Sequence, residues 1–449
     1  MLAGTEGIIG IKFDDPKIAQ FIGIVSLNFI LFSGGMDTDW KSVKPILKTG
    51  ITLSSLGVIL TALSLGTFVW WLTDFTFYES MLLGSIVSST DAAAVFSILR
   101  SKSLGLKNNI RPTLELESGS NDPMAYVLTI VFLTLVVNQD KNAWDITYLF
   151  IKQMFLGGML GLAFGKISKL IINYIRLDFE GLYPVLAIAL MFITFSTVDF
   201  LGGNGFLAIY IAAVYLGNKD IIHKRTIMKM YDGLAWLMQI VLFLTLGLLV
   251  FPSQMIAYSK IGLLISAFLI FAARPIAVFL SLSFLKLDLK CKTFLSWAGL
   301  RGAVPIVFAT YPLLAGIEKA NIIFNLVFFI SVTSLVVQGT TLGIVARWLG
   351  LALDEEEKPK EAIDRLQEDI PMSSLQEISV ASSDYAVNQR IVDLHFPPST
   401  FIVMIKRNGR YIRPGGSTEI LANDLLMVLT ENPEELDLVK TCLKTEKSK

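Results

Sequence analysis

Between residues 18 and 349 the chain alternates long apolar runs with short polar segments. A helix needs about 20 mostly apolar residues to cross a hydrocarbon core. On that rule eleven spans are predicted, near 18–34, 48–72, 78–100, 114–137, 146–168, 181–198, 201–217, 227–251, 255–285, 292–314 and 321–346. Several contain Gly or Pro, which predicts interrupted helices. After residue 350 the pattern changes. A charged linker occupies 351–370, with DEEEKPKEAIDRL at 354–366, and 371–449 reads as a small α+β domain. There a strand at 401–407, an Asn408-Gly409 turn and a strand at 410–413 form a predicted hairpin. A strand at 424–430 and a helix from 432, opened by Asn-Pro, follow. The fold class is therefore an all-α polytopic membrane protein with a small α+β domain at its end.

Loop charges orient the spans. Loops 35–48, 100–112, 166–178, 218–229 and 286–292 hold 17 Lys and Arg, and the alternate loops hold 3. Basic loops stay on the cytoplasmic side, so the N-terminus is expected outside a multi-pass cell (inner) membrane protein and the terminal domain in the cytoplasm. Residues 1–17 are too short and Gly-rich to span, and no basic stretch precedes an apolar one as in a signal peptide.

Composition agrees: 53% of residues are hydrophobic, 17% are charged, and mean hydropathy is +0.61. Lys plus Arg equals Asp plus Glu, at 38 each, so no nucleic-acid partner is expected. The two cysteines, Cys291 and Cys442, make neither a disulfide framework nor a metal cluster. Neither His223 nor His395 lies in an apolar run, which excludes histidine-based chemistry within the bilayer. No cofactor is expected.

Ionisable residues inside the apolar spans include Asp91, Glu117, Asp122, Arg274 and Arg301. Each costs about 2.5–3.5 kcal/mol at a helix centre, so such residues pair with one another or mark an ion pathway. Along residues 116–123, helical spacing stacks Glu117 over Asn121 and Ser118 over Asp122. Pro123 lacks an N–H and frees the Gly119 carbonyl. A patch of carboxylates, hydroxyls, an amide and a carbonyl suits a hard cation. Ser88, Ser89, Thr90 and Asp91 interrupt a second span, and Gly299, Gly302 and Pro305 weaken a third. Discontinuous helices in corresponding halves point to the central site of a transporter. Their positive half-helix ends call for a counter-charge, which Asp91 can supply.

The segments SSTDAAAVFSIL (88–99), LELESGSNDPMA (114–125), GNGFLAIYIAAVYLGN (203–218) and WAGLRGAVPIVFA (297–309) resemble the monovalent cation:proton antiporter family, NhaP branch. That resemblance runs from residue 1 to about 440. It implies an inverted-repeat fold of thirteen spans with two broken helices, a core that moves against a dimerisation domain, homodimeric assembly, and exchange of K⁺ or Na⁺ for H⁺. Residue by residue, it makes Asp122 the cation- and proton-binding carboxylate and Asn121 its neutral partner. Ser118 and Thr90 become further oxygen donors. Asp91 sits on the unwound stretch, and Gly302 and Pro305 lie at the second break. Glu117 is expected to pair with Arg301, which would leave one transported carboxylate and an electroneutral cycle. Residues 1–16 are similar to the end of the family's second helix, so two helices are expected to be missing here. The tail resembles the TrkA-C domain, with Asn423-Asp424 where relatives usually have Gly-Asp. No Gly-rich nucleotide fingerprint precedes it, so the tail reads as a small dimer module or as a sensor of an unknown small ligand.

A cation channel or regulated uniporter would also use oxygen-lined broken helices, but a channel would more naturally carry a repeated pore loop, and none is present. A membrane-embedded enzyme would need a nucleophile with a base, and no intramembrane His supplies one.

Overall fold

A computed structural model describes residues 4–353 and 375–444, apart from 103, 139, 395, 398, 399, 408, 409, 413, 431 and 432. The chain divides into two compact units, Met1–Glu355 and Glu356–Lys449. The charged run 354–366, His395 and the Asn408-Gly409 turn lie outside the described residues.

The first unit is helical: α1 (Pro16–Asp37), α2 (Trp40–Leu72), α3 (Phe77–Val87), α4 (Ala92–Ser101), α5 (Ile110–Val137), α6 (Ala143–Tyr174), α7 (Leu182–Phe200), α8 (Gly205–Gly217), α9 (Lys224–Leu249), α10 (Ser259–Ser281), α11 (Leu289–Trp297), α12 (Val304–Phe308), α13 (Thr310–Leu314) and α14 (Ala320–Trp348). Among the described residues nine helical segments are long and apolar enough to cross a membrane, with α3 and α4 together as one. The expected segments at 201–217 and 292–314 are not single long helices. Gly202 adopts φ +76° and Asn204 caps the shorter α8 by accepting from the Leu207 N–H. The 292–314 run divides into α11, α12 and α13, because residues 298–303 leave the helix.

Local signals account for several boundaries. The Asp15 carboxylate accepts from the Lys17 N–H at 2.8 Å and Pro16 opens α1, which satisfies amides that begin a helix without partners. Thr76 and Glu79 form a reciprocal capping box at the start of α3. Two helices carry π turns, Leu53–Gly57 within α2 and Leu269–Ala273 within α10. A π turn rotates the side chains that follow it, and such turns recur at functional sites.

The helices pack as two bundles. The first holds α1, α6, α7, α8 and α9, and the second holds α2 to α5 and α10 to α14. Small residues bring backbones together, as expected where lipid removes the hydrophobic drive between helices. Gly157, Gly161 and Gly165, one turn apart on α6, face Asn204, Ala208 and Ala212 along α8. A Cβ on Gly161 would sit 2.7 Å from the Ala208 Cα, so only glycine fits there. The seam between bundles runs where α1 meets α5, α12 and α13, and where α8 meets α5. Gly105–Leu106 (β1) pairs with Ala352–Leu353 (β2) in a short antiparallel ladder.

The second unit is a four-stranded antiparallel sheet in the order β3-β6-β4-β5, from Leu375–Ser379, Leu425–Leu429, Phe401–Arg407 and Arg410–Ile412 respectively. Helix α15 (Pro433–Lys444) buries Val439 and Leu443 against Ile405, Leu426 and Val428. The expected hairpin pairs Ile405 with Ile412. Strand β3 was not predicted. Asn423 has φ +67°, a left-handed conformation that Gly adopts freely and that Asn tolerates.

Candidate functional site

Two interrupted helices meet near the middle of the second bundle. The first breaks at Ser88–Asp91, between α3 and α4, and the second at Ala298–Ala303, between α11 and α12. They are tied backbone to backbone: the Asp91 N–H donates to the Leu300 carbonyl at 2.8 Å. The Asp91 carboxylate turns back and accepts from the Ala94 N–H at 3.0 Å, which caps the positive start of α4. Gly302 lies against that carboxylate so closely that a side chain there would collide with it. Pro305 sits in the first turn of α12, where its missing N–H leaves no bond unmade.

Helix α5 passes alongside and keeps its helical course through Pro123. Asp122 is 6% exposed and accepts a short hydrogen bond from the Ser89 hydroxyl. Among the described residues no cationic side chain reaches it. The Asn121 amide donates to the Thr90 hydroxyl at 2.5 Å, while the Asn121 Oδ1 is buried without a hydrogen-bond partner.

The structure places Ser118 differently from the role expected of it. Its hydroxyl donates to the Thr90 carbonyl and accepts from the Ala92 N–H, both at 3.0 Å. Both of those backbone groups lost their helical partners at the break, so Ser118 repairs the interruption. The oxygen that reaches Asp122 comes from Ser89, on the facing element.

The expected Glu117–Arg301 pair does not form. Glu117 pairs with Arg274 at 2.5 Å, with both side chains about 1–2% exposed. Arg274 follows the Leu269–Ala273 π turn directly and also reaches the Leu295 carbonyl at 3.3 Å. Arg301 instead donates to the Ser88 and Ser89 carbonyls, each at 2.6 Å. A broken helix leaves carbonyls without donors, and a guanidinium with five N–H groups can serve two at once. Both arginines were visible as charges in apolar runs, but linear sequence carries no information about which one faces Glu117.

Besides Ser89 and Arg274, Tyr210 and Asn204 of the first bundle, outside the expected set, also touch the site. Tyr210 of α8 lies against Gly119, so a side chain at position 119 would have to displace the Tyr210 ring. Asn204, one residue before α8, donates its amide to the Pro123 carbonyl at 2.8 Å.

A buried carboxylate beside two interrupted helices that meet within one of two packed bundles is the architecture of a secondary transporter. The chain belongs to the sodium/hydrogen exchanger family: the transmembrane model of that family matches residues 2–348, and a TrkA-C domain matches 375–441. It is similar to the K(+)/H(+) antiporter NhaP of Alkalimonas amylolytica, with 36% identity over 98% of this chain and 76% of that one. The K(+)/H(+) antiporter NhaP2 of Shewanella oneidensis is 38% identical over 96% of this chain and 75% of its own length. Among solved structures, the sodium proton antiporter MjNhaP1 from Methanocaldococcus jannaschii at pH 8 shares the fold with a TM-score of 0.67 at 24% identity, over 74% of this chain and 86% of that one.

Proposed function

We propose that the chain exchanges a monovalent cation for a proton, with Asp122 as the group that the two ions share. The observation that carries this reading is a buried carboxylate with no cationic partner among the described residues, placed where two broken helices meet. A carboxylate so placed needs a positive occupant, and either a proton or a metal cation can serve. The free Asn121 Oδ1 is a neutral oxygen beside it, and the Thr90 and Ser89 hydroxyls hold the two side chains in place. Oxygen donors suit K⁺ and Na⁺ alike. The two antiporters that match at 36 and 38% identity carry K⁺ in their names, so K⁺ is the first cation to test.

Glu117 is matched by Arg274, so one carboxylate carries either one cation or one proton and the cycle moves no net charge. Asp122→Asn removes the shared group and keeps the side-chain shape. In proteoliposomes the parent dissipates a pH gradient when K⁺ or Na⁺ is added, and Asp122→Asn does not. Exchange by that variant removes Asp122 from the mechanism. A rate that climbs steeply with imposed membrane potential rules out the one-for-one cycle, and current without proton movement favours a channel or uniporter.

The 17-to-3 loop asymmetry supports a cytoplasmic tail. Homodimeric assembly is proposed from the family resemblance, and cross-linking in native membranes tests it.

A further inference from the structure

The motif Gly203-Asn204-Gly205 plays no part in ion binding as described above, yet it spans the seam between the two bundles. Asn204 is fully buried at 0% exposure. Its backbone N–H donates to the Gln153 carbonyl at 3.0 Å, and its Oδ1 accepts from the Leu207 N–H at 3.1 Å. Both contacts stay within the first bundle. Its backbone carbonyl accepts from the Ala208 N–H at 3.1 Å, also in the first bundle, whereas the side-chain amide crosses to the second bundle and meets the carbonyl of Pro123, the residue after Asp122. Gly157 makes this reach possible, because a Cβ there would come within 2.8 Å of the Asn204 carbonyl.

An aromatic cluster continues the same contact. Tyr126 lies one turn beyond Asp122 on α5, about 6 Å along its axis. Its ring centroid is 5.1 Å from Phe206 of the first bundle, and 5.8 and 5.7 Å from Phe308 and Tyr311 of the second. Phe195 backs Phe206 at 5.1 Å. All these residues lie toward one end. Helix α5 begins at the basic loop 100–112 and runs away from it, so Tyr126 is farther from that loop than Asp122. Asn204 and Phe206 follow the loop 198–204, which has no Lys or Arg, and α13 leads to the loop 315–319, which has one.

We propose that Asn204 is the latch of the outer closure. Its bond to the Pro123 carbonyl, backed by Tyr126, Phe206, Phe308 and Tyr311, holds the bundles together on the side of Asp122 away from the basic loops. Asp122 meets the outer solution only when this contact parts. The inference rests on the proposed role of Asp122 and on the proposed orientation. It makes Asn204 a positioning residue that sets how often the outer route opens.

The alternative role for Asn204 is helix capping alone, and Asn204→Ser separates the two. Serine is a good N-cap but is too short to reach Pro123. A reporter thiol at Ala125, beside Tyr126 and 0% exposed, reads access to the closed region. The full chain carrying A125C, with or without N204S, is labelled by a membrane-impermeant thiol reagent in right-side-out and inside-out vesicles. A chain without A125C subtracts any signal from the buried Cys291 and Cys442. Gel filtration confirms that each variant is folded, and A125C with Phe206→Leu provides a second disturbance of the closure. One neutral hydrogen bond is worth about 1 kcal/mol net, so N204S raises the outside labelling rate about fivefold. An unchanged rate from both sides overturns the latch and leaves Asn204 a cap. A rise confined to inside-out vesicles keeps the latch and overturns the orientation instead.

Discussion

The ion pair at the centre of the second bundle gives the sharpest test of the structure. Arg274→Ala leaves Glu117 buried in a spanning helix with no hydrogen-bond partner for either oxygen. Removing one member of a buried pair costs about 3–5 kcal/mol, because the other charge is left uncompensated. Arg301→Ala is also destabilising, for another reason. It strips the Ser88 and Ser89 carbonyls of hydrogen bonds from a charged donor, each worth about 1.5–3 kcal/mol. Single variants therefore do not distinguish the two arginines, but a double-mutant cycle does. Neutralising Glu117 removes the penalty left by losing Arg274 and leaves the stranded carbonyls of the Arg301 variant unchanged. Glu117→Gln with Arg274→Gln is expected to recover about 2 kcal/mol relative to the sum of the single changes, near the upper range for contacting residues. Glu117→Gln with Arg301→Gln recovers much less. Equilibrium unfolding in mixed micelles, followed by tryptophan fluorescence, measures all of these. A larger coupling for Glu117 with Arg301 than with Arg274 would falsify the assignment.

Two expectations concern the tail. Burial alone would raise the Asp424 carboxyl, but hydrogen bonds from Arg407 and the Leu421 N–H outweigh it and hold the group below the ordinary carboxylate range. A group whose folded value is depressed stabilises the fold above its unfolded value of about 3.9, and that stability is lost as pH falls through the lower folded value. Arg407→Ala should accelerate hydrogen exchange at β6 near neutral pH, with the gap to the parent narrowing at more acidic pH. A constant gap across that range removes the electrostatic cause. The tail also holds none of the residues of the proposed ion site. Deleting 360–449 should therefore preserve the K⁺/Na⁺ preference while changing how the exchange rate responds to pH or added ligands. Altered cation preference in side-by-side flux titrations would contradict a purely regulatory tail.

The membrane character of the first unit and the places where its helices break were legible from the sequence, for a local reason. Hydropathy is decided over about 20 consecutive residues. Gly, Pro and ionisable residues inside such a run are costly enough to mark an interruption by themselves. The Ser88–Asp91 and Gly299–Pro305 breaks, and the carboxylate at Asp122, all stood out on that basis. Partnership was not legible. Helical stacking placed Ser118 beside Asp122 on one helix, but the broken ends of the neighbouring element claim its hydroxyl, and Ser89 takes its place. Arg274 and Arg301 are equally anomalous in sequence. Which of them meets Glu117 depends on how α10 is rotated after its π turn and on which carbonyls the crossing helices leave bare. Strand β3 was missed because Leu375–Ser379 alternates only weakly and becomes a strand by pairing with β6. Asn204 fell within the expected span 201–217, and only the packing of α6 against α8 carries its amide across the seam. Short-range chemistry determines where a chain must bend or bury a charge, and the relative rotation of packed helices decides what that charge meets.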